Sequence, residues 1–312
     1  MDAPALRPVA AQCSSGGIGT IAGLGGPLSS VADVQLAAGY SAARLIAMAA
    51  PLESALEQSA LDRAASRLRD CFGLDSVDAQ RIARQCVLFQ RDRRVHETLL
   101  LQADPLQLRS IVDSVQIDGF DRLESGPRGR LILTFHYGPY SSLLWLALVR
   151  DAARGRIPPV TFTLNRQLDP NLVMTRDRWD TLVAHDVIPP HAFTPFDLAR
   201  GGVAVSRDLA ATVRNGGSLL IMPDAWFVPP DTRASLTCCI GQRTVGFPRG
   251  ADWIARRTEC EIVAAWIQPD QHSHHIVLEP AGNIAEALAV LAGVVSTDPA
   301  PWEGWTRDQP FF

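Results

Sequence analysis

Positive charge is not in surplus in this chain. With 29 basic against 33 acidic side chains, its 312 residues carry a formal net charge of −4 and a pI near 6.0. That balance disfavours nucleic acid as a partner, and disfavours a face held on anionic lipid by charge alone. Long apolar runs are missing too. None approaches the roughly 18 residues a bilayer span requires, and Asp2 stands where a signal peptide carries its basic region. A cytoplasmic protein, soluble without detergent and touching membranes at most peripherally, is expected. The six cysteines (Cys13, Cys71, Cys86, Cys238, Cys239, Cys260) contain no CxxC pair, and the adjacent Cys238 and Cys239 are poor disulfide partners for each other. This fits reduced thiols rather than a disulfide framework.

What is present is apolar residue in quantity, 47% of the chain, enough for a sizeable core. One segment is compositionally biased, "SSGGIGTIAGLGGPLSS" from Ser14 to Ser30. Its "GIGTIA" (Gly17, Gly19, Ala22) formally matches a dinucleotide fingerprint, but no strand precedes it and Pro27 follows before any helix is established. Residues 1–30 therefore read as a flexible leader, not a cofactor loop. Residues 31–114 are helical in period ("AARLIAMAAPLESALEQ", "ALDRAASRLRDCFGL", "SVDAQRIARQCVLFQRDRRVHETLLL"), with a capped start suggested by Ser76 and Gln80.

From about Val115 the pattern changes. Short apolar runs ("RLILTF", "PVTFTL", "SLLIMP", "EIVAAWI", "HHIVLEP") alternate with helical stretches near Ser141–Ala153, Val203–Arg214, Ala251–Arg257 and Ile284–Val294. The alternation predicts an α/β fold, a sheet flanked by helices over residues 115–312, with the helical part packed on it as one continuous unit from residue 31 to residue 312.

Three polar residues fall at predicted strand ends, where ligands of open α/β sheets bind. His136 ends "LILTF" ahead of an amphipathic helix; a neutral ring there is suited to act as a base. Asp224 follows "SLLIMP", able to orient an imidazole, to bind an acceptor amine or simply to cap a turn. Arg166, in "TLNRQLDPN", can clamp a phosphate or carboxylate.

Taken in order, "HYGPYS" (His136 to Ser141), "NRQLDPNL", "LLIMPDAWF", "TVGFPRGADWIARRTECEIVAAWI" and "PAPWEGWTRDQP" resemble the blocks of the lipid A biosynthesis (lauroyl/myristoyl) acyltransferases, within the lysophospholipid acyltransferase superfamily. The resemblance implies a mixed sheet flanked by helices and transfer of an acyl group from an acyl carrier protein or CoA thioester, a co-substrate in place of any cofactor or metal. It implies His136 as general base, with Tyr137, Gly138 and Tyr140 beside the substrate. The family places an acid five residues after its histidine, and here that position is Ser141. A hydroxyl gives a hydrogen bond weaker by roughly a factor of two than a charge-assisted one. Either Asp224 supplies the orienting charge, or the acceptor is an amine needing less help, or the site has lost acyl transfer. Ser141 as a nucleophile is a weaker idea, because "GPYSS" lacks the second glycine of a nucleophile elbow and no strand leads into it.

Without the hydrophobic N-terminal helix and basic face usual in that family, a soluble or carrier-tethered acceptor, as in secondary-metabolite or lipid-like biosynthesis, fits better than lipid A. The contrasting expectation is a degenerate, non-catalytic or thioesterase-like member acting as a partner protein in an assembly line. Two other features carry less. "DQHSHH" (His272, His274, His275) reads as a polar hairpin turn rather than a metal site. Arg91–Arg94, with Arg81 and Arg84, reads as a solvated helix face that could meet an acidic carrier protein.

Overall fold

The computed structural model describes residues 55–102, 104–123, 128–138, 141–164, 183–187, 193–197, 202–269 and 274–309. The leader, with Gly17, Gly19 and Ala22, lies outside these residues, as do Cys13, Tyr140, Arg166 and His272. Three helices come first: α1 (Ala55–Phe72), α2 (Ser76–Gln102) and α3 (Pro105–Ser114). The stretches "ALEQ" and "ALDRAASRLRDCF", read as separate segments, are one helix. The cap of α2 is Asp75, not Ser76: its carboxylate accepts from the backbone N–H groups of Val77 and Asp78 at 2.9 and 2.8 Å, the N-terminal donors that a helix leaves open.

The rest of the described chain alternates strand and helix. In order come β1 (Gln116–Asp118), β2 (Arg130–Leu133), α4 (Ser141–Ala153), β3 (Val160–Leu164), β4 (Phe193–Asp197), α5 (Gly202–Arg214) and β5 (Ser218–Ile221). There follow β6 (Ser235–Ile240), β7 (Arg243–Pro248), α6 (Gly250–Thr258), β8 (Glu261–Pro269), β9 (His274–Ala281) and α7 (Ile284–Thr297). Seven strands form one sheet in the order β1-β9-β8-β2-β5-β3-β4, while β6 and β7 pair as an antiparallel ribbon. Neighbours in the large sheet are parallel except β8 and β9, so the sheet is mixed.

The sheet separates two hydrophobic clusters, because successive side chains on a strand point to opposite faces. Leu131, Leu133 and Phe135 join one cluster with α1, α2, α5, α6 and α7; Ile132 joins the other with α3 and α4. The result is helices on both faces of the sheet, with the N-terminal helices part of the same body: α1 and α2 pack against residues 303–305, and α1 also against β7. Helix α4 departs from its amphipathic reading. Every residue from Leu143 to Arg150 is buried, since the helix is enclosed by β3, α2 and α3.

The sequence contains no lysine, so all 29 basic side chains are arginines. Several are buried, where a planar fork can satisfy several acceptors at once. Arg150 bonds the carbonyls of Val112 and Val115 and the carboxylate of Asp151. Arg130 pairs with Glu261 across β2 and β8. Among the described residues no helix is long and apolar enough to cross a membrane.

Candidate active site

Register assembles the centre of the site. Strands β2 and β5 are parallel neighbours with Leu133 opposite Ile221, and the ladder runs on through the N–H of Thr134 to the carbonyl of Ile221 at 3.1 Å. His136 stands three residues beyond Leu133 and Asp224 three beyond Ile221, at the same end of adjacent strands. At that end β2 turns sharply. The N–H of Tyr137 bonds the carbonyl of Phe135 at 2.7 Å, a three-residue γ-turn with His136 at its apex. Gly138 then takes φ +91°, and a Cβ there would meet the Cβ of Ile267 at 3.1 Å and its carbonyl oxygen at 3.2 Å, so the position requires glycine. On β5 a 3-10 turn over Pro223–Ala225 carries Asp224 inward.

The two residues meet twice. The backbone N–H of His136 donates to Asp224 Oδ2 at 2.8 Å, and His136 Nδ1 lies 2.8 Å from Asp224 Oδ1. Asp224 is 0% exposed, whereas the His136 side chain is 17% exposed. Trp302 Nε1 donates to Oδ2 at 2.9 Å, and Arg307 Nη1 to the Asp224 carbonyl at 2.6 Å. Burial would push the Asp224 carboxyl up, but the charge and hydrogen bond of His136, with Arg307 and the Trp302 N–H, hold it below its usual range. An ionised carboxylate only accepts, so Nδ1 carries the proton. Nε2 lies on the other side of the ring, with no hydrogen bond from a described residue. Asp224 thus stands in hydrogen-bond contact with the imidazole through one oxygen and with the His136 backbone through the other.

The segment after α7 closes the site from the side. The N–H of Glu303 donates to the His136 carbonyl at 3.0 Å, and the N–H of Gly138 to the carbonyl of Pro301 at 3.3 Å. Arg67 in turn holds the segment, donating to the carbonyls of Gly304 at 2.6 Å, Trp305 at 3.1 Å and Gln309 at 2.5 Å. Burial first and the nearby Arg63 second lower its pKa to about 10, and it remains charged near pH 7. Burial would raise the Glu303 carboxyl, yet Arg93, Arg307 and the His136 ring more than offset it and hold it far below the ordinary carboxylate range.

The remaining expected residues fall as follows. Tyr137 is turned into the core at 4% exposure, its hydroxyl donating to the carbonyl of Asp298 at 3.2 Å. Burial, with the charge of Asp298, pushes that hydroxyl well above its usual pKa, so it braces the loop and offers a substrate no free phenol. Gly138 spends its N–H on Pro301. Ser141 is the first residue of α4, and its hydroxyl lies outside the described side chains. The solvated face expected of Arg91–Arg94 is corrected at two positions. Arg93 is 4% exposed and paired with Glu303 at 2.5 Å, and Arg91 pairs with Glu57 at 2.6 Å, because this side of α2 packs against residues 303–305. His274 and His275 begin β9 of the β8–β9 hairpin, with His275 Nδ1 3.3 Å from Asp118. Among the described residues no group of three or more His, Cys, Asp and Glu could hold a metal ion.

Sequence reasoning missed Trp302, Glu303 and Arg307 as site residues; the only pointer was the closing "PAPWEGWTRDQP" block. An exposed aromatic, Trp226 at 44%, stands two residues beyond Asp224.

No protein-family model matches the chain, and no curated protein does. Among solved structures, the chain is similar to the 1-acyl-sn-glycerophosphate (LPA) acyltransferase PlsC from Thermotoga maritima, at 12% identity and a TM-score of 0.32 over 78% of this chain and 94% of that one.

Proposed function

We propose that the protein is an acyltransferase that moves an acyl group from a thioester of acyl carrier protein or CoA to a hydroxyl or amine of a soluble or carrier-tethered acceptor. The observation that carries this reading is the imidazole at the end of β2, tied at Nδ1 to a buried carboxylate and open at Nε2. As the acceptor oxygen or nitrogen attacks the thioester carbonyl, Nε2 takes its proton. Asp224 keeps the Nδ1 proton in place and stabilises the imidazolium that forms. When the tetrahedral intermediate collapses, the C–S bond breaks and the imidazolium returns the proton to the departing sulfur. The products are an ester or amide and a free thiol. Arg166 fits this reading as the cation for a phosphate of donor or acceptor.

The test is thiol release from medium- and long-chain acyl thioesters of CoA and of acyl carrier protein, with an alcohol or a primary amine as generic acceptor and the ester or amide read by mass spectrometry. His136→Ala should lower turnover at least about a hundredfold, the low end for acid–base catalysis, in protein that still folds. Turnover near that of the natural chain in this variant removes His136 from the chemistry.

A further inference from the structure

The Asp224 carboxylate has two chemically equivalent oxygens on a broad torsion, and something must decide which one faces the ring. Oδ2 takes two N–H groups, the His136 backbone N–H at 2.8 Å and the Trp302 indole at 2.9 Å. Oδ1 faces Nδ1 at 2.8 Å. Trp302 is 0% exposed and packed between aromatic rings, with centroids 5.8 Å from Phe135, 5.9 Å from Phe227 and 4.9 Å from Trp305. It has no freedom to direct its N–H elsewhere. Trp305, equally buried beside it, spends its own N–H on the carbonyl of Pro299 at 2.7 Å. The two indoles share an environment but not a task. The chain around Trp302 also grips both members of the pair, through Glu303 N–H to His136 O and Arg307 to Asp224 O.

We propose that Trp302 is a positioning residue: its indole N–H fills Oδ2 of Asp224, fixing the carboxylate plane so that Oδ1 accepts the hydrogen bond from Nδ1–H and Nε2 is left as the base. This rests on the proposed role of His136. Without that donor the carboxylate becomes more basic, and protonation of the imidazole–carboxylate pair is favoured at higher pH.

The experiment compares the natural chain with Trp302→Phe, with benzothienylalanine at position 302 (sulfur in place of the N–H, ring size kept) and with Trp305→Phe, which thins the same packing without touching Asp224. Two readouts are taken on the full chain: the acid limb of kcat/KM for thioester thiol release, and the ¹⁵N shifts of the His136 ring in resting protein. Both changes at 302 should move the acid limb up by about one pH unit, a tenfold change in the protonation constant, and lower kcat about tenfold with the donor KM held. They should also shift the ring nitrogens away from a pure Nδ1–H form, while Trp305→Phe moves neither. Unchanged limb and ring shifts in both 302 variants, or equal shifts in Trp305→Phe, overturn the proposal. Should the natural chain release no thiol, the acyltransferase reading falls, and the nitrogen shifts alone still decide whether Trp302 positions the ring.

Discussion

Replacing Asp224 with asparagine tests the pair most sharply, because the hydrogen-bond pattern dictates what the amide must do. Oδ2 lies against two N–H donors, His136 N and Trp302 Nε1. An amide NH₂ there would face both, so the amide oxygen takes that place and the NH₂ turns to Nδ1. Nδ1 must then accept, the ring proton moves to Nε2, and the base is lost without loss of shape. The charge is lost as well. A unit charge about 4 Å from the imidazolium, at the effective dielectric of about 20 that suits protein sites, is worth about 4 kcal/mol, or three factors of ten in rate. The same change in the serine protease triad, also through the wrong tautomer, costs about 10⁴. Asp224→Asn should therefore lower kcat by about 10³ to 10⁴, measured as single-turnover thiol release on protein that retains its fold. Ser141→Ala should stay within a few fold. A loss of less than about tenfold in Asp224→Asn, or a crippling Ser141→Ala with a mild Asp224→Asn, refutes the assignment and points to Ser141 as a direct participant.

Gly138→Ala should destabilise by about 1–3 kcal/mol in urea unfolding, from its φ of +91° and the crowding at Ile267, and should lower activity because the histidine loop shifts; a neutral substitution contradicts the tight turn. Acid should weaken the fold through this same site. Asp224 and Glu303 both have depressed folded-state pKa values, so their stabilisation is complete above the free carboxyl range near pH 4 and is withdrawn as pH falls through the lower folded values. Asp298, pushed up by burial, works in the opposite sense and costs stability above its raised pKa. The urea midpoint should fall steeply below about pH 4, and more shallowly in Glu303→Gln; equal slopes would contradict the Arg93–Glu303–Arg307 cluster.

The sequence announces the strands built on a continuous apolar run: "LIL" after Arg130, in a strand whose every residue is buried, and "LLI" after Ser218 need no partner to be read as strands. It does not announce β4, an edge strand with Pro195 inside it, or the three-residue β1, because both borrow their conformation from a neighbour. His136 and Asp224 are each legible as strand-end residues, but their meeting depends on β2 and β5 being adjacent, which strand order alone decides. Arg93 reads as solvated because nothing local reveals that Glu303 will be set against it. The indole donor at Trp302 is illegible for the same reason: a hydrogen bond 78 residues from its acceptor leaves no periodic trace.

The way the pair is assembled also sets a clock. His136 is synthesised first, its carboxylate 88 residues later, and the indole that fixes that carboxylate a further 78 residues on. At 5–20 residues per second, about 10 to 30 seconds of translation separate the imidazole from its completed setting. During that interval a ribosome-bound chain carries the histidine without the carboxylate and indole that complete its hydrogen bonding, and the three meet only once the last segment has closed over the sheet.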